Sequence, residues 1–191
     1  MIKKIVLSGY SGSGKTTLAK FIAKKNRATL IDLDIIAKKI MGENFAIINS
    51  IKKEFGIDYI SNNKIIFSKL SRLVFSDINK LKKLNSIVHP ILKDYLIQNL
   101  KQSSKNIVID AAIIPLWKIE RLFTERYWIE SDFNLRLKRV AHKTGLPKYE
   151  IDNRLKSQEI LFSPPDSNVW SYINNNGSVK KLFDLAFNDL S

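Results

Sequence analysis

Eight consecutive residues near the N-terminus have the types and spacing that bind a polyphosphate. The segment Gly9-Tyr10-Ser11-Gly12-Ser13-Gly14-Lys15-Thr16 satisfies the pattern G-x-x-x-x-G-K-[ST]. Its glycines let backbone N–H groups close around phosphate oxygens, its lysine reaches the β- and γ-phosphates, and its threonine offers a hydroxyl to Mg²⁺. The segment follows the apolar run Ile5-Val6-Leu7 and opens a helical stretch, so it has the strand, loop and helix order that this chemistry requires.

Two carboxylates follow a second apolar run. Asp32 and Asp34 lie two residues apart, so if the strand continues through them, both point towards the phosphate edge of the sheet. A carboxylate there can accept the proton of an acceptor hydroxyl or hold Mg²⁺ through water. The alternative role for Asp34 is that of N-cap of a helix beginning at Ile35. A third carboxylate, Asp110, ends the run Ile107-Val108-Ile109, which predicts either a place near Mg²⁺ or an exposed strand end.

Three cations are spaced i, i+3 and i+7 on a predicted helix: Arg136, Arg139 and Lys143. This spacing places them on one stripe, where they can neutralise the charge of a transferring phosphoryl group. The alternative is a solvated cationic face. The dipeptide His89-Pro90 can mark a helix boundary, because the residue before a proline disfavours helical backbone.

The elements that position these residues alternate in the order of an α/β protein. Short apolar runs predict strands at 5–7, 29–34, 107–110, 127–130 and 171–173. Helical spacing predicts helices at 17–23, 35–41, 132–143 and 148–159, a mostly helical region over 44–102, and a C-terminal helix. Strands separated by helices predict a parallel sheet flanked by helices, with ligands at the carboxyl ends of its strands. We expect a nucleotide-binding core of residues 1–35, 105–131 and 168–191, a helical acceptor domain of residues 36–104, and a lid of residues 132–167.

Composition limits the class of protein. The 191 residues suffice for one α/β core with appendages, and no run approaches membrane-spanning length. The absence of cysteine excludes a disulfide framework and a thiolate site, and we expect a cytoplasmic protein. The net charge of +14 attracts polyanions, but the lysines are scattered along the chain, so we expect phosphorylated small molecules and not nucleic acid. The sequence does not determine an oligomeric state.

Taken together, these motifs resemble the dephospho-CoA kinase family over nearly the whole chain. The similar segments are, in chain order, Gly12-Ser13-Gly14-Lys15-Thr16, Asp32-Leu33-Asp34-Ile35-Ile36-Ala37, Phe55-Gly56, Leu70 with Val74-Phe75, His89-Pro90, Asp110-Ala111-Ala112-Ile113-Ile114, Arg139, Arg154-Leu155 with Gln158, and Ile173-x-Asn175-x-Gly177-Ser178. Only the first motif is specific by itself, and the ordered set is much more so.

The resemblance implies a P-loop NTPase fold with a helical acceptor-binding insertion and a helical lid. It implies transfer of the ATP γ-phosphoryl group to the ribose 3′-hydroxyl of dephospho-CoA, with Mg²⁺, in the last step of coenzyme A biosynthesis. It makes Asp34 the general base, with Lys15 and Arg139 as catalytic cations. The implied nucleotide-binding residues are Gly12, Ser13, Gly14, Lys15, Thr16, Thr17, Asn175 and Gly177. Acceptor contacts are implied for Asp32, Asp34, His89 and Gln158, and metal contacts for Thr16 and Asp32.

The sequence departs from the family pattern at three positions. Phe67 replaces an arginine, Leu116 replaces a glutamate for which Glu120 is the nearest substitute, and Lys143 replaces a second lid arginine. The alternative function is that of a P-loop kinase acting on a nucleoside or a nucleoside monophosphate, because the loop also resembles that of uridine kinases. A nucleotide-switch module is disfavoured because the chain has no Asn-Lys-x-Asp motif.

Overall fold

The chain forms two compact units. The structure, a computed structural model, describes residues 2 to 189, with side chains described through residue 184. The first unit takes in the chain up to Leu33 and again from Leu100 onwards, and the second unit is Asp34–Asn99. Among the described residues, no helix is both long enough and apolar enough to cross a membrane.

The secondary structure alternates between strands and helices on both sides of a helical block. In chain order the elements are β1 (Lys4–Ser8), α1 (Lys15–Lys25), β2 (Thr29–Asp32), α2 (Leu33–Glu43), α3 (Phe45–Phe55), β3 (Ile60–Ser61), β4 (Lys64–Ile65), α4 (Phe67–Ser76), α5 (Ile78–Gln102), β5 (Ile107–Asp110), α6 (Ile114–Trp117), β6 (Glu125–Glu130), α7 (Phe133–Thr144), α8 (Lys148–Leu161), β7 (Ser171–Asn174) and α9 (Val179–Asp189). The predicted C-terminal helix is present, and residues 190 and 191 lie outside the described residues.

The first unit contains a five-stranded sheet in the order β2-β5-β1-β6-β7. All neighbouring strands are parallel, so their carboxyl ends meet at one edge, where the phosphate-binding segment follows β1. The parallel α/β sheet predicted from the sequence is confirmed.

Burial of apolar side chains on both faces stabilises this sheet. The run Ile5-Val6-Leu7 is fully buried, as a central parallel strand covered on both faces must be. On one face, α1 and α9 pack against the sheet, and the rings of Phe21 and Phe183 stack with centroids 4.2 Å apart. The helices α7 and α8 pack together through Val140, Ile151 and Leu155 and their neighbours, after the chain turns at Gly145-Leu146-Pro147 as predicted.

The second unit consists of helices and one short hairpin. Asn44 caps α3, since its side-chain oxygen accepts from the Ile47 N–H at 3.1 Å. The antiparallel strands β3 and β4 were not predicted from the sequence. They are joined by Asn62 and Asn63, which both have positive φ, a conformation that asparagine tolerates better than most residues. This Asn-Asn pair was a feature of the sequence from which the hairpin could have been predicted.

Two local predictions are wrong. The strand does not continue to Asp34, because β2 ends at Asp32 and Leu33 already begins α2, burying its side chain. Asp34 therefore lies in the first turn of a helix, and it is not the N-cap either. His89-Pro90 is not a helix boundary, since α5 runs through it. The buried side chains on either side of Pro90 hold the helix together despite the one backbone hydrogen bond that proline removes.

We predict that His89 makes folding stability depend on pH. Burial lowers the pKa of His89 from 6.5 to about 4. Between these values the unfolded chain binds a proton that the folded chain does not bind. The free energy of unfolding should therefore fall as the pH drops from 6.5 towards 4, by up to about 3 kcal/mol from this group.

Urea unfolding of the wild type and of His89→Gln over this pH range measures the effect. Carboxylates titrate in both proteins, so the difference between the two slopes isolates the histidine. The variant should lose less stability on acidification. Equal slopes in the two proteins would show that His89 does not cause the dependence.

Candidate active site

The phosphate-binding loop between β1 and α1 requires glycine at its centre. Gly12 has φ +79°, in the left-handed region that side chains disfavour. A Cβ built on it would lie 2.7 Å from the carbonyl oxygen of Arg136, and this is a backbone atom that cannot rotate away. The loop is thus pressed directly against the first turn of α7, and only glycine allows that approach.

Asn175, which directly follows the edge strand β7, attaches the phosphate-binding loop to that edge of the sheet. Its side-chain Nδ2 donates to the Ser13 carbonyl oxygen at 2.7 Å, and its backbone N–H donates to the Glu130 carbonyl oxygen at 2.8 Å. Asn175 is 5% exposed, and a Cβ on Gly14 would collide with its amide. Gly177, the other residue of this segment singled out by the resemblance, is exposed. The Asn175 side chain therefore contacts the loop itself.

The predicted cationic stripe is divided between three environments. Arg139 donates to the carbonyl oxygens of Gly12 (3.4 Å) and Asn175 (3.0 Å) and to the Ser131 hydroxyl (3.0 Å). Arg136 is 3% exposed and forms an ion pair with Glu159. Lys143 is exposed. The alternative of one solvated face is therefore wrong for Arg136, and the Arg139 guanidinium is bound to the loop.

The helix α8 also reaches the loop. The Gln158 Oε1 accepts a hydrogen bond from the backbone N–H of Ser11 at 2.7 Å. The resemblance implied an acceptor or lid contact for Gln158, and the structure places its amide on the phosphate-binding loop. The acceptor role of Gln158 stays a prediction.

A pair of carboxylates lies at the carboxyl edge on the other side of β1. The Thr16 hydroxyl donates to the Asp110 Oδ2 at 2.5 Å, and Asp110 is 4% exposed, so the alternative of an exposed strand end is wrong. Asp32 is the register partner of Asp110 in the parallel pair of β2 and β5. Two carboxylates and the last residue of the phosphate pattern thus come together here.

Oxygen ligands of this kind suit Mg²⁺. A hard cation that keeps several waters needs only one or two protein oxygens, and Thr16 with the neighbouring carboxylates supplies them. Within residues 2 to 189, no cluster of three or more acidic, histidine or cysteine side chains could form a protein-only metal cage. The oxygen set therefore fits a magnesium ion that keeps part of its water shell.

The remaining predicted residues are distributed over both units. Lys15 is 8% exposed at the start of α1, and Thr17, two residues further on, is exposed. Asp34 and His89 belong to the second unit, at the start of α2 and inside α5. Their roles stay predictions.

This parallel sheet and the phosphate-binding loop that follows β1 place the protein in the class of P-loop nucleotide-binding proteins. The dephospho-CoA kinase family model matches residues 4–180. A dephospho-CoA kinase of Lactobacillus johnsonii is 30% identical over 190 residues, covering 94% of each chain. One of Lactobacillus acidophilus is 32% identical over 163 residues, covering 82% of this chain and 73% of the relative. The chain belongs to the dephospho-CoA kinase family.

The fold agrees with that assignment. The solved dephospho-CoA kinase of Campylobacter jejuni has a TM-score of 0.63 and 22% identity, with 100% of this chain and 96% of that chain covered. The resemblance to the family and the P-loop NTPase fold are confirmed, and dephospho-CoA kinase is favoured over the nucleoside kinase alternative.

Proposed function

We propose that the protein transfers the γ-phosphoryl group of ATP to the ribose 3′-hydroxyl of dephospho-CoA, giving CoA and ADP. The observation that supports this most is a complete phosphate-binding loop, next to the bonded pair Thr16 and Asp110, in a chain that belongs to the dephospho-CoA kinase family. The reaction is the last step of coenzyme A biosynthesis, and a cytoplasmic location stays a prediction.

The loop and its lysine bind the nucleotide. Lys15 follows Gly14 directly, at the start of α1, where the positive end of the helix dipole and the ammonium group both attract phosphate. Gly12, Ser13, Gly14 and Thr16 line the same turn, and Thr17 continues it. Arg139 donates to the Gly12 carbonyl in this structure and so helps to keep the loop in place, together with Asn175, while its role as a catalytic cation stays a prediction.

Thr16, Asp110 and Asp32 would hold Mg²⁺. When bound, the ion neutralises charge on the β- and γ-phosphates during transfer. The Thr16 hydroxyl and the Asp110 carboxylate are already oriented by their hydrogen bond, and Asp32 lies in register beside them. The chain therefore supplies a prepared oxygen set with little reorganisation.

Asp34 is the proposed general base. A ribose hydroxyl is a poor nucleophile at neutral pH, and a carboxylate that accepts its proton assists in the transition state. Asp34 stands two residues after Asp32 and is exposed in the first turn of α2. His89 and Gln158 remain proposed acceptor contacts from the family resemblance.

Acceptor choice tests the proposed function. ADP production should be fastest with dephospho-CoA when that acceptor is compared with uridine and nucleoside monophosphates. Lys15→Ala should reduce this activity by about 10²-fold or more, because a cation at the transferring phosphates is lost. Lys20→Ala, the same change at an exposed position of α1, is the matched control and should leave turnover unchanged. Faster turnover with uridine or a monophosphate would establish the alternative function instead.

Asp34→Asn tests the proposed base. Turnover should fall by about 10² to 10⁴ while ATP binding changes little, since the carboxylate acts on the acceptor hydroxyl. An acidic residue in the first turn of a helix also stabilises the helix, but only by about 0.3–1 kcal/mol, so folding should survive. Asp32→Asn should act instead through the dependence of rate on Mg²⁺ concentration. Turnover of Asp34→Asn within about threefold of wild type would assign the base elsewhere or leave the reaction without one.

A further inference from the structure

Tyr10, the second residue of the phosphate-binding segment, links the loop to three other elements. Its hydroxyl donates to the Phe162 carbonyl oxygen, just after α8, at 2.9 Å. Its ring packs edge-on against Trp128 of β6, with centroids 5.2 Å apart, and lies tilted by 38° against the Phe162 ring, with centroids 5.4 Å apart. The Arg136 guanidinium of α7 lies 5.0 Å from the ring centroid. One side chain of the loop therefore contacts β6, α7 and the end of α8.

These contacts form a connected cluster, which we call the Tyr10 cluster: Tyr10, Trp128, Arg136, Glu159 and Phe162. Arg136 is almost fully buried and pairs with Glu159 of α8, so the cation over the tyrosine ring also ties α7 to α8. Cation–π attraction is stronger when the pair is removed from water, as it is for this guanidinium. Burial and the Glu159 carboxylate both raise the pKa of Tyr10, so its hydroxyl stays protonated and remains a donor at neutral pH.

The hydrogen bond of Tyr10 and the hydrogen bond of Gln158 both join the phosphate-binding loop to the end of α8. Gln158 lies on the last turn of α8 and accepts from the Ser11 N–H, one residue after Tyr10. Its amide can keep this position only while the end of α8 stays against the loop. The Tyr10 hydroxyl fixes that end through the Phe162 carbonyl. The two hydrogen bonds therefore support each other, and they join the same two segments.

We propose that Tyr10 is a positioning residue that docks the end of α8 on the phosphate-binding loop and thereby sets the loop conformation that binds nucleotide. This inference rests on the proposed function for the identity of the nucleotide, but not for the identity of the acceptor. Loss of the hydroxyl alone would free the end of α8, weaken the Gln158 contact and lower nucleotide affinity. The chemical step would be affected less, because Tyr10 acts through the loop.

Tyr10→Phe tests this, because it keeps the ring and its packing and removes only the donor. ADP affinity is measured by calorimetry, and amide hydrogen exchange is followed over residues 148–162. We expect ADP to bind about 3- to 10-fold more weakly, the loss typical of one hydrogen bond, with faster exchange at the end of α8. The KM for ATP should rise by a similar factor, with a smaller change in kcat. Tyr149→Phe is the matched control, since Tyr149 is 65% exposed in the first turn of α8 and its hydroxyl donates to the neighbouring Glu150, so ADP affinity and exchange at the end of α8 should stay unchanged.

A double-mutant cycle with Gln158→Ala tests the coupling. If the two side chains act together, their effects on ADP affinity should be clearly less than additive. Unchanged ADP affinity and unchanged exchange in Tyr10→Phe would overturn the proposal, and so would reduced thermal stability with unchanged affinity. The binding and exchange measurements need no acceptor. A failure to phosphorylate dephospho-CoA would therefore count against the proposed function and not against this inference.

Discussion

The site depends on hydrogen bonds that hold the phosphate-binding loop from outside. A glycine-rich loop has large conformational freedom, and fixing it costs free energy that its own short contacts do not supply. Here the Ser13 carbonyl accepts from Asn175, the Gly12 carbonyl accepts from Arg139, and the Ser11 N–H donates to Gln158. Two carbonyl oxygens of the loop therefore face protein donors. Their partial negative charge is thus directed away from a bound phosphate and does not repel it.

This constraint explains the arrangement of the charged residues. In a chain with a net charge of +14, the arginines nearest the loop are occupied by protein partners, Arg139 by carbonyl oxygens and Arg136 by Glu159. The segment expected to be a lid, residues 132–167, belongs to the same compact unit as the sheet and holds the loop through α7 and α8. On the other side of β1, the carboxylates of Asp32 and Asp110, with the Thr16 hydroxyl bonded to Asp110, form the acidic side of the site. The loop therefore lies between a structural cationic side and an acidic side suited to Mg²⁺.

The parts of this arrangement that could be predicted from the sequence are those in which one short segment determines one local structure. The phosphate pattern, the buried parallel strands and the turn at Gly145 depend on neighbouring residues, and each was confirmed. Contacts between distant segments could not be predicted, because no spacing in the chain relates Tyr10 to Phe162. The pattern also accepts any side chain at position 10. The strand predicted through Asp34 was wrong because burial of Leu33 favours a helix that begins directly after β2, and the helix through Pro90 persists because of its buried flanks.

The central claim is that external hydrogen bonds give the loop its nucleotide-binding shape, and Asn175 provides the most buried of them. Calorimetric titration of ADP into Asn175→Ala tests it most directly. The account predicts at least about tenfold weaker binding than wild type, because the buried Ser13 carbonyl loses its donor and the loop loses its attachment to β7. ADP affinity within about twofold of wild type, in a variant that remains folded, would contradict the account.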